Sequence, residues 1–222
     1  MPEFAFHGFE KDTFVFMLEL GFNNDKLFFD ANRERCRRVL QNPIRALALD
    51  ITPTALEIDP EFNTRPGKLV SRMNRDTRFS KNKLPYRNHA WIGFRHGEAR
   101  TSEAFCLYFE IEPEGYGYGM GMYGANPELM KPFRERAIAN PAGFLALSSA
   151  LTERGFTVSG DEFKKERFPD APEELKPFIN RKGISWNYFC TKPSNTFREE
   201  LRDEVIEAMR LMGPLYRFVT GY

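Results

Sequence analysis

From Gly115 to Gly121 every second residue is glycine, and Tyr116, Tyr118, Met120 and Met122 fill the alternate places. A period of two belongs to a β-strand, in which successive side chains point to opposite faces. Such a strand carries two tyrosines and two methionines on one face and nothing on the other. A bare face admits a backbone, a helix or a ligand at close range. The surrounding chain must therefore supply both an apolar layer for the ring-bearing face and an occupant for the empty one.

The neighbouring segments answer with strands. Ala90-Trp91-Ile92-Gly93-Phe94 and Ala104 to Ile111 are short, aromatic and β-branched, and polar Arg95 to Glu103 joins them as a hairpin. In the second, Phe105, Leu107, Phe109 and Ile111 share one face; Cys106, Tyr108 and Glu110 share the other. Ile184 to Cys190 reads as a further strand, and Phe156-Thr157-Val158 with Glu162-Phe163-Lys164 as a small hairpin around Ser159-Gly160-Asp161.

Helical periodicity frames this middle. Phe9 to Leu20 places Phe14, Met17 and Leu18 on one face, with Gly21 as its stop. Asn23 or Asn24 caps a helix from Asp25 to about Leu40, with Phe28, Phe29, Asn32, Cys36 and Val39 inward. Its arginine-rich run, Arg33 to Arg38, reads as a solvated face with Glu34 paired to Arg38. Pro43 opens a weaker helix to about Ala55, interrupted by Pro53. Asn126-Pro127 starts a helix to Ala139, Pro141 another that ends at Gly155, and Pro172 to Phe178 is a short one. The last helix runs from Ser194 or Thr196 to about Met212 on a stripe of Phe197, Leu201, Val205, Ala208 and Met212. Phenylalanine supplies 22 of the 222 residues, which calls for an aromatic core. With no repeat and no low-complexity linker, the expectation is one α+β domain over 1–222: N-terminal and later helices packed on a mainly antiparallel sheet.

The chemistry concentrates between Arg72 and Arg87. Six basic side chains (Arg72, Arg75, Arg78, Lys81, Lys83 and Arg87) stand there against one acid, Asp76. Guanidinium forks match the oxygens of carboxylates and phosphates. The expected site binds a small anionic, phosphate- or carboxylate-bearing ligand. Arg75, Arg78, Lys83 and Arg134 are its cations, Ser80 and Tyr86 its neutral donors, and Asp76 the brace of an arginine. Two alternatives accompany it. One is a structural or protein-interaction module whose basic cluster is an internal ion-pair network; the other is an enzyme of phosphoryl or acyl chemistry using the same pocket.

The same stretch carries a resemblance. Asn74-Arg75-Asp76-x-Arg78-Phe79-Ser80-Lys81-x-Lys83-x-Pro85-Tyr86 is similar to the NRDxRFSxDKxPYK signature of a widespread bacterial and fungal family, a conserved domain of unknown function. Leu20-x-x-Asn23-Asn24 followed by Phe28 and Phe29, Gly119-x-Gly121-x-Tyr123, and Pro127 and Leu129 leading to Arg134 extend the match over most of the chain. Asn82 stands where that family has Asp, Arg87 where it has Lys, and Phe28 where Trp is common. The missing carboxylate at 82 argues against a metal ligand or base there. The resemblance implies one folding unit and no activity.

Other chemistries find less support. The net charge of +1 offers no global field for nucleic acid. No apolar run approaches the roughly 18 residues of a membrane span, and Met1 to Glu10 lacks the pattern of a signal peptide. Cys36, Cys106 and Cys190 form neither a disulfide framework nor a metal pair, which points to a reducing cytoplasm. His7, His89 and His96 lack metal-ligand spacing and read as surface or loop residues, with His89 and His96 on opposite strand faces. Glu110 and Glu112 share a strand face as a carboxylate pair, equally explained by exposed strand polarity. Gly119 to Gly124 spells G-x-G-x-x-G, yet Asn126-Pro127 delays the helix that a dinucleotide fingerprint needs. No cofactor is expected, and the glycines are better read as a wall of the anion pocket.

Overall fold

A computed structural model describes residues 5–78 and 80–222. Its helices are α1 (Lys11–Phe22), α2 (Lys26–Ala31), α3 (Arg33–Cys36), α4 (Asn42–Ile58), α5 (Pro66–Leu69), α6 (Pro127–Ala139), α7 (Pro141–Thr152), α8 (Lys176–Ile179) and α9 (Glu200–Thr220). Its strands are β1 (Ala90–Arg95), β2 (Phe105–Glu112), β3 (Gly115–Met122), β4 (Thr157–Ser159) and β5 (Ser185–Cys190). They form one antiparallel sheet in the order β1-β2-β3-β5-β4, with the glycine strand at its centre. This is the α+β architecture expected from the sequence.

Register sorts the sheet into two unlike faces. Ile92 lies opposite Phe109, Phe109 opposite Tyr118, and Tyr118 opposite Tyr188. Leu107, Met120 and Trp186 form the next such row. All of these residues but the half-buried Tyr188 are buried, and the helices cover them. Trp186 donates from Nε1 to Ser148 Oγ of α7 at 2.9 Å, and Phe9 stacks on Phe109 at 6.3 Å. Glu204 of α9 accepts hydrogen bonds from the hydroxyls of both Tyr116 and Tyr118. The opposite face runs Trp91, Gly93 and Arg95; Cys106, Tyr108 and Glu110; Gly117, Gly119 and Gly121; Ser185 and Asn187.

Several local expectations need correction. Residues 26–58 are one nearly continuous helical run, joined by a π-turn at Arg37–Gln41. Pro53 lies inside α4 without ending it. Its lost hydrogen bond costs about 3 kcal/mol, but Ile44, Leu47, Ala48, Ile51, Ala55 and Ile58 bury one stripe along the whole helix. Pro214 is carried inside α9 for the same reason, because Leu215, Tyr216 and Val219 extend its buried stripe beyond Met212. The chain before α9 is a 3₁₀ turn, Pro193–Phe197. Gly21 lies within α1, whose C-cap is Asn23. Asp25 caps α2, accepting from Phe28 N at 2.8 Å. Residues 157–159 do not pair with 162–164; β4 joins the edge of β5, and Glu162 bridges Arg181.

The arginine-rich helix face is more than solvated. Arg35 reaches Asp12 and Glu19 at 2.6 Å each, tying α3 to α1, and holds the Asp12 carboxyl below its ordinary range. Glu34 pairs with Arg37, not with Arg38, which turns to Glu10 and Asp12. Asp59 is buried at the end of α4 and satisfied there by Tyr216 (3.1 Å), His96 Nδ1 (2.8 Å) and Glu61 N (2.9 Å).

Candidate anion-binding groove

The polar face of the sheet is the floor of a groove of about 1050 Å³. Its opposite wall is the basic stretch, and the way that stretch folds decides which cations face inward. Ser71 starts it, with its N donating to Trp91 O at 2.9 Å. Residues 73–75 and 85–87 then form a narrow ladder, Arg75 N to Pro85 O and Arg87 N to Met73 O, both 2.8 Å. The stretch is extended only there; 76–84 is a loop tip with a turn at Arg78. Phe79 lies outside the described residues.

Asn24 fixes this ladder to the helices. Its Nδ2 donates to Tyr86 O and its Oδ1 accepts from Tyr86 N, each at 2.9 Å, as a neighbouring strand would. Tyr86 is buried, with its ring stacked on Phe29 at a centroid distance of 4.0 Å. Tyr86 thus anchors the wall and borders the groove with its body.

The expected site residues divide. Arg75, Asp76, Ser80 and Tyr86 line the groove together. Arg75 makes no side-chain hydrogen bond or ion pair with any described residue. Asp76 braces Arg78, whose Nε and Nη2 reach its carboxylate at 3.0 and 2.7 Å. Those bonds hold Asp76 at a pKa of about 2. Arg78 and Lys83 are not among the lining residues. Lys83 Nζ donates to Thr77 O at 2.9 Å. Arg134 belongs elsewhere: from α6 it donates to Ile179 O (2.8 Å) and Arg181 O (2.6 Å) and lies over Phe163 and Phe168. Its reach toward carbonyls near the end of α8 is a structural tie.

The groove also collects residues to which the sequence reading gave no such place. Arg87 donates from Nη1 to Arg72 O (2.8 Å) and Asn74 O (2.5 Å) and covers the Trp91 ring at 4.9 Å. It has no carboxylate partner among the described residues, and burial together with Arg75 lowers its pKa. Arg95 is held by Thr101 Oγ1 and Lys68 O, while its Nε is the one buried side-chain polar atom without a partner among the described residues. His89 stacks on Trp91 at 5.5 Å, and its Nε2 is 3.9 Å from Glu110. Burial, Arg87 and Arg75 depress the His89 pKa; burial and Glu112 raise that of Glu110 to about 7. The signal for these residues was the two-residue alternation, which puts Trp91, Arg95, Tyr108 and Glu110 on one face. What it does not show is that a segment about 20 residues earlier folds over that face.

The glycines meet this floor as well. A Cβ on Gly119 would lie 2.3 Å from Trp186 O and 2.8 Å from the Tyr108 hydroxyl; one on Gly121 would lie 2.2 Å from Ser185 Cβ. The bare face therefore lets Tyr108 lean across β3 to donate to Asn187 Oδ1 at 2.5 Å. Asn187 Nδ2 continues the chain to Ser159 and Ser185 at 2.6 and 3.1 Å. Gly121 lines the groove, so the glycine strand both packs closely and forms part of its floor.

Cys106 also lies on the floor, where burial pushes its thiol up to about 12, far from a reactive thiolate. No cluster of three or more potential metal ligands occurs among the described residues.

No curated protein and no solved structure matches the chain. A model of the conserved hypothetical protein family DUF2461 matches residues 12–218, nearly the whole chain. The glycine-centred sheet, the basic stretch that folds over it and nearly all of the helical residues fall inside that span, and the chain belongs to the DUF2461 family.

Proposed function

We propose that the groove binds a small anionic ligand, bearing a phosphate or carboxylate group, between Arg75 and Arg87. One observation carries this reading: two guanidinium groups that line the same open groove repel each other and have no carboxylate partner among the described residues. Several arginines outside the groove are neutralised. Arg35, Arg38, Arg78 and Arg181 all pair with acids. An oxyanion is the partner whose charge and acceptor oxygens fit Arg75 and Arg87. Ser80, at the groove edge, and the floor residues Asn187 and Ser185 add neutral groups for the rest of the ligand.

A structural reading of the basic stretch finds support at particular residues. Arg78 with Asp76, and Lys83 with Thr77, stiffen the loop tip and leave the groove to Arg75 and Arg87. We place the chain in a reducing cytoplasm, in keeping with three unpaired cysteines. No helix among the described residues is long and apolar enough to cross a membrane.

Trp91 reports on the groove, because the only other tryptophan, Trp186, is buried on the helix-covered face. Titration with inorganic phosphate at fixed ionic strength is expected to change Trp91 fluorescence saturably. Arg75→Ala removes a cation without breaking a side-chain hydrogen bond or ion pair to any described residue. It is expected to weaken binding by about tenfold or more, the loss of one charge-assisted hydrogen bond. Equal affinity in a folded Arg75→Ala protein rules the reading out.

A further inference from the structure

Glu110 is the odd group in a groove walled by guanidinium ions. It stands on the floor between Trp91 of β1 and Gly117 of β3. It accepts no hydrogen bond from a described residue, and its one ion-pair neighbour there, His89 Nε2 at 3.9 Å, is beyond hydrogen-bonding range. We propose that Glu110 is a specificity-determining residue of the groove: it meets the bound oxyanion as a neutral acid and donates its carboxyl hydrogen to it, so that each anion captured takes up one proton. This rests on the anion-binding reading above and states which protonation state the groove selects.

Burial and a neighbouring carboxylate favour that state. Glu112 on the same strand adds negative charge, and Tyr108 beside it is a neutral phenol whose own pKa is raised by burial. From the wall come His89, Arg87, Arg75 and, at the edge, Asp76. Arg95 of β1 is the remaining groove cation, two residues further along β1 than Gly93 and opposite Cys106. Trp91 and Gly117, opposite Glu110 across its two neighbouring strands, and Phe189 of β5 bring no charge. His89 is pushed toward neutrality by burial and by Arg87 and Arg75, so at neutral pH it does not offset Glu110. With its pKa already near 7, the carboxyl is easily tipped.

An anion drawn in by Arg75 and Arg87 is the like charge that tips it. A negative group within roughly 4–6 Å raises a carboxyl pKa further. The proton comes from solvent and stays on the carboxyl, whose O–H then points a charge-assisted hydrogen bond at a ligand oxygen. No bond in the ligand breaks. The groove so arranged favours fully ionised oxyanions, which only accept hydrogen bonds, because nothing in it requires the ligand to bring its own proton.

Inorganic sulfate is the discriminating probe, since it carries no proton at neutral pH. The full chain is titrated with sulfate at constant ionic strength between pH 6 and 9, followed by Trp91 fluorescence. Calorimetry at pH 8 in two buffers of different ionisation enthalpy counts protons. Affinity is expected to fall by about tenfold per pH unit above pH 7, with about one proton taken up per sulfate. Glu110→Gln keeps a neutral donor; it is expected to bind sulfate with an affinity independent of pH from 7 to 9. His89→Asn is expected to keep the wild-type slope. A slope that survives in Glu110→Gln, a slope that disappears in His89→Asn, or binding without proton uptake overturns the inference. Sulfate binding that needs Arg75 yet ignores pH removes this inference and leaves the anion groove standing. Binding indifferent to Arg75→Ala, or absent altogether, removes both.

Discussion

At the scale of single residues, the groove is made by side chains whose role depends on one neighbour. Asn24 is a helix cap by its type and position, yet its carboxamide serves as a strand edge for Tyr86. Glu110 is a carboxylate by type, yet burial beside Glu112 makes it a weak acid near pH 7. This has a consequence for stability. Its pKa in the folded chain lies above the ordinary 4.5, so the folded state binds the proton more tightly than the unfolded state. The contribution is present below about pH 4.5 and is lost as pH rises through about 7. The side chain is 36% exposed, and solvent screening holds the effect to about 1 kcal/mol. Chemical denaturation of Glu110→Gln and wild type is therefore expected to show the variant gaining about that much, relative to wild type, between pH 5 and pH 8. An equal difference at both pH values would show that Glu110 titrates normally.

At the scale of elements, β3 is the piece whose sequence allowed least freedom. Its ringed face is buried under α9, and its bare face lies against Tyr108 and the β5 backbone. Gly119→Ala forces a methyl group to within 2.3 Å of Trp186 O, which is backbone and cannot step aside. The expected loss is about 1–3 kcal/mol, the usual range for overpacking. A thermal melt shows it as a lowered Tm, and an unchanged Tm would mean the strands can separate without penalty. The helices teach the reverse lesson. Pro53 and Pro214 are local stop signals, and both lie inside helices because buried stripes on either side outweigh one missing hydrogen bond. At 157–164 turn-forming residues also misled, since an edge of β5 was available to pair with β4.

At the scale of the whole molecule, one buried cluster extends from Phe6 through the sheet to Val219. Phe62 touches both Phe94 of β1 and Tyr216 of α9, so the N-terminal helical half and the C-terminal helix share that core. Residues 1–222 are accordingly expected to unfold in one cooperative transition, with calorimetric and van't Hoff enthalpies equal. Two resolved transitions would divide the chain where this core is thinnest. The strands, their two faces and most helices could be read from hydrophobic period, because burial on one side imposes period directly on sequence. The density of basic residues between 72 and 87 was equally plain. Sequence could not decide which of those cations stays unpaired, because pairing depends on what folds alongside. Arg78 finds Asp76 two residues away, Arg134 finds carbonyls about 45 residues distant, and Arg75 and Arg87 meet in one groove with no carboxylate partner among the described residues. Local order follows from the side chains themselves, whereas an electrostatic site is a sum over neighbours in space, and only the folded chain sets that sum.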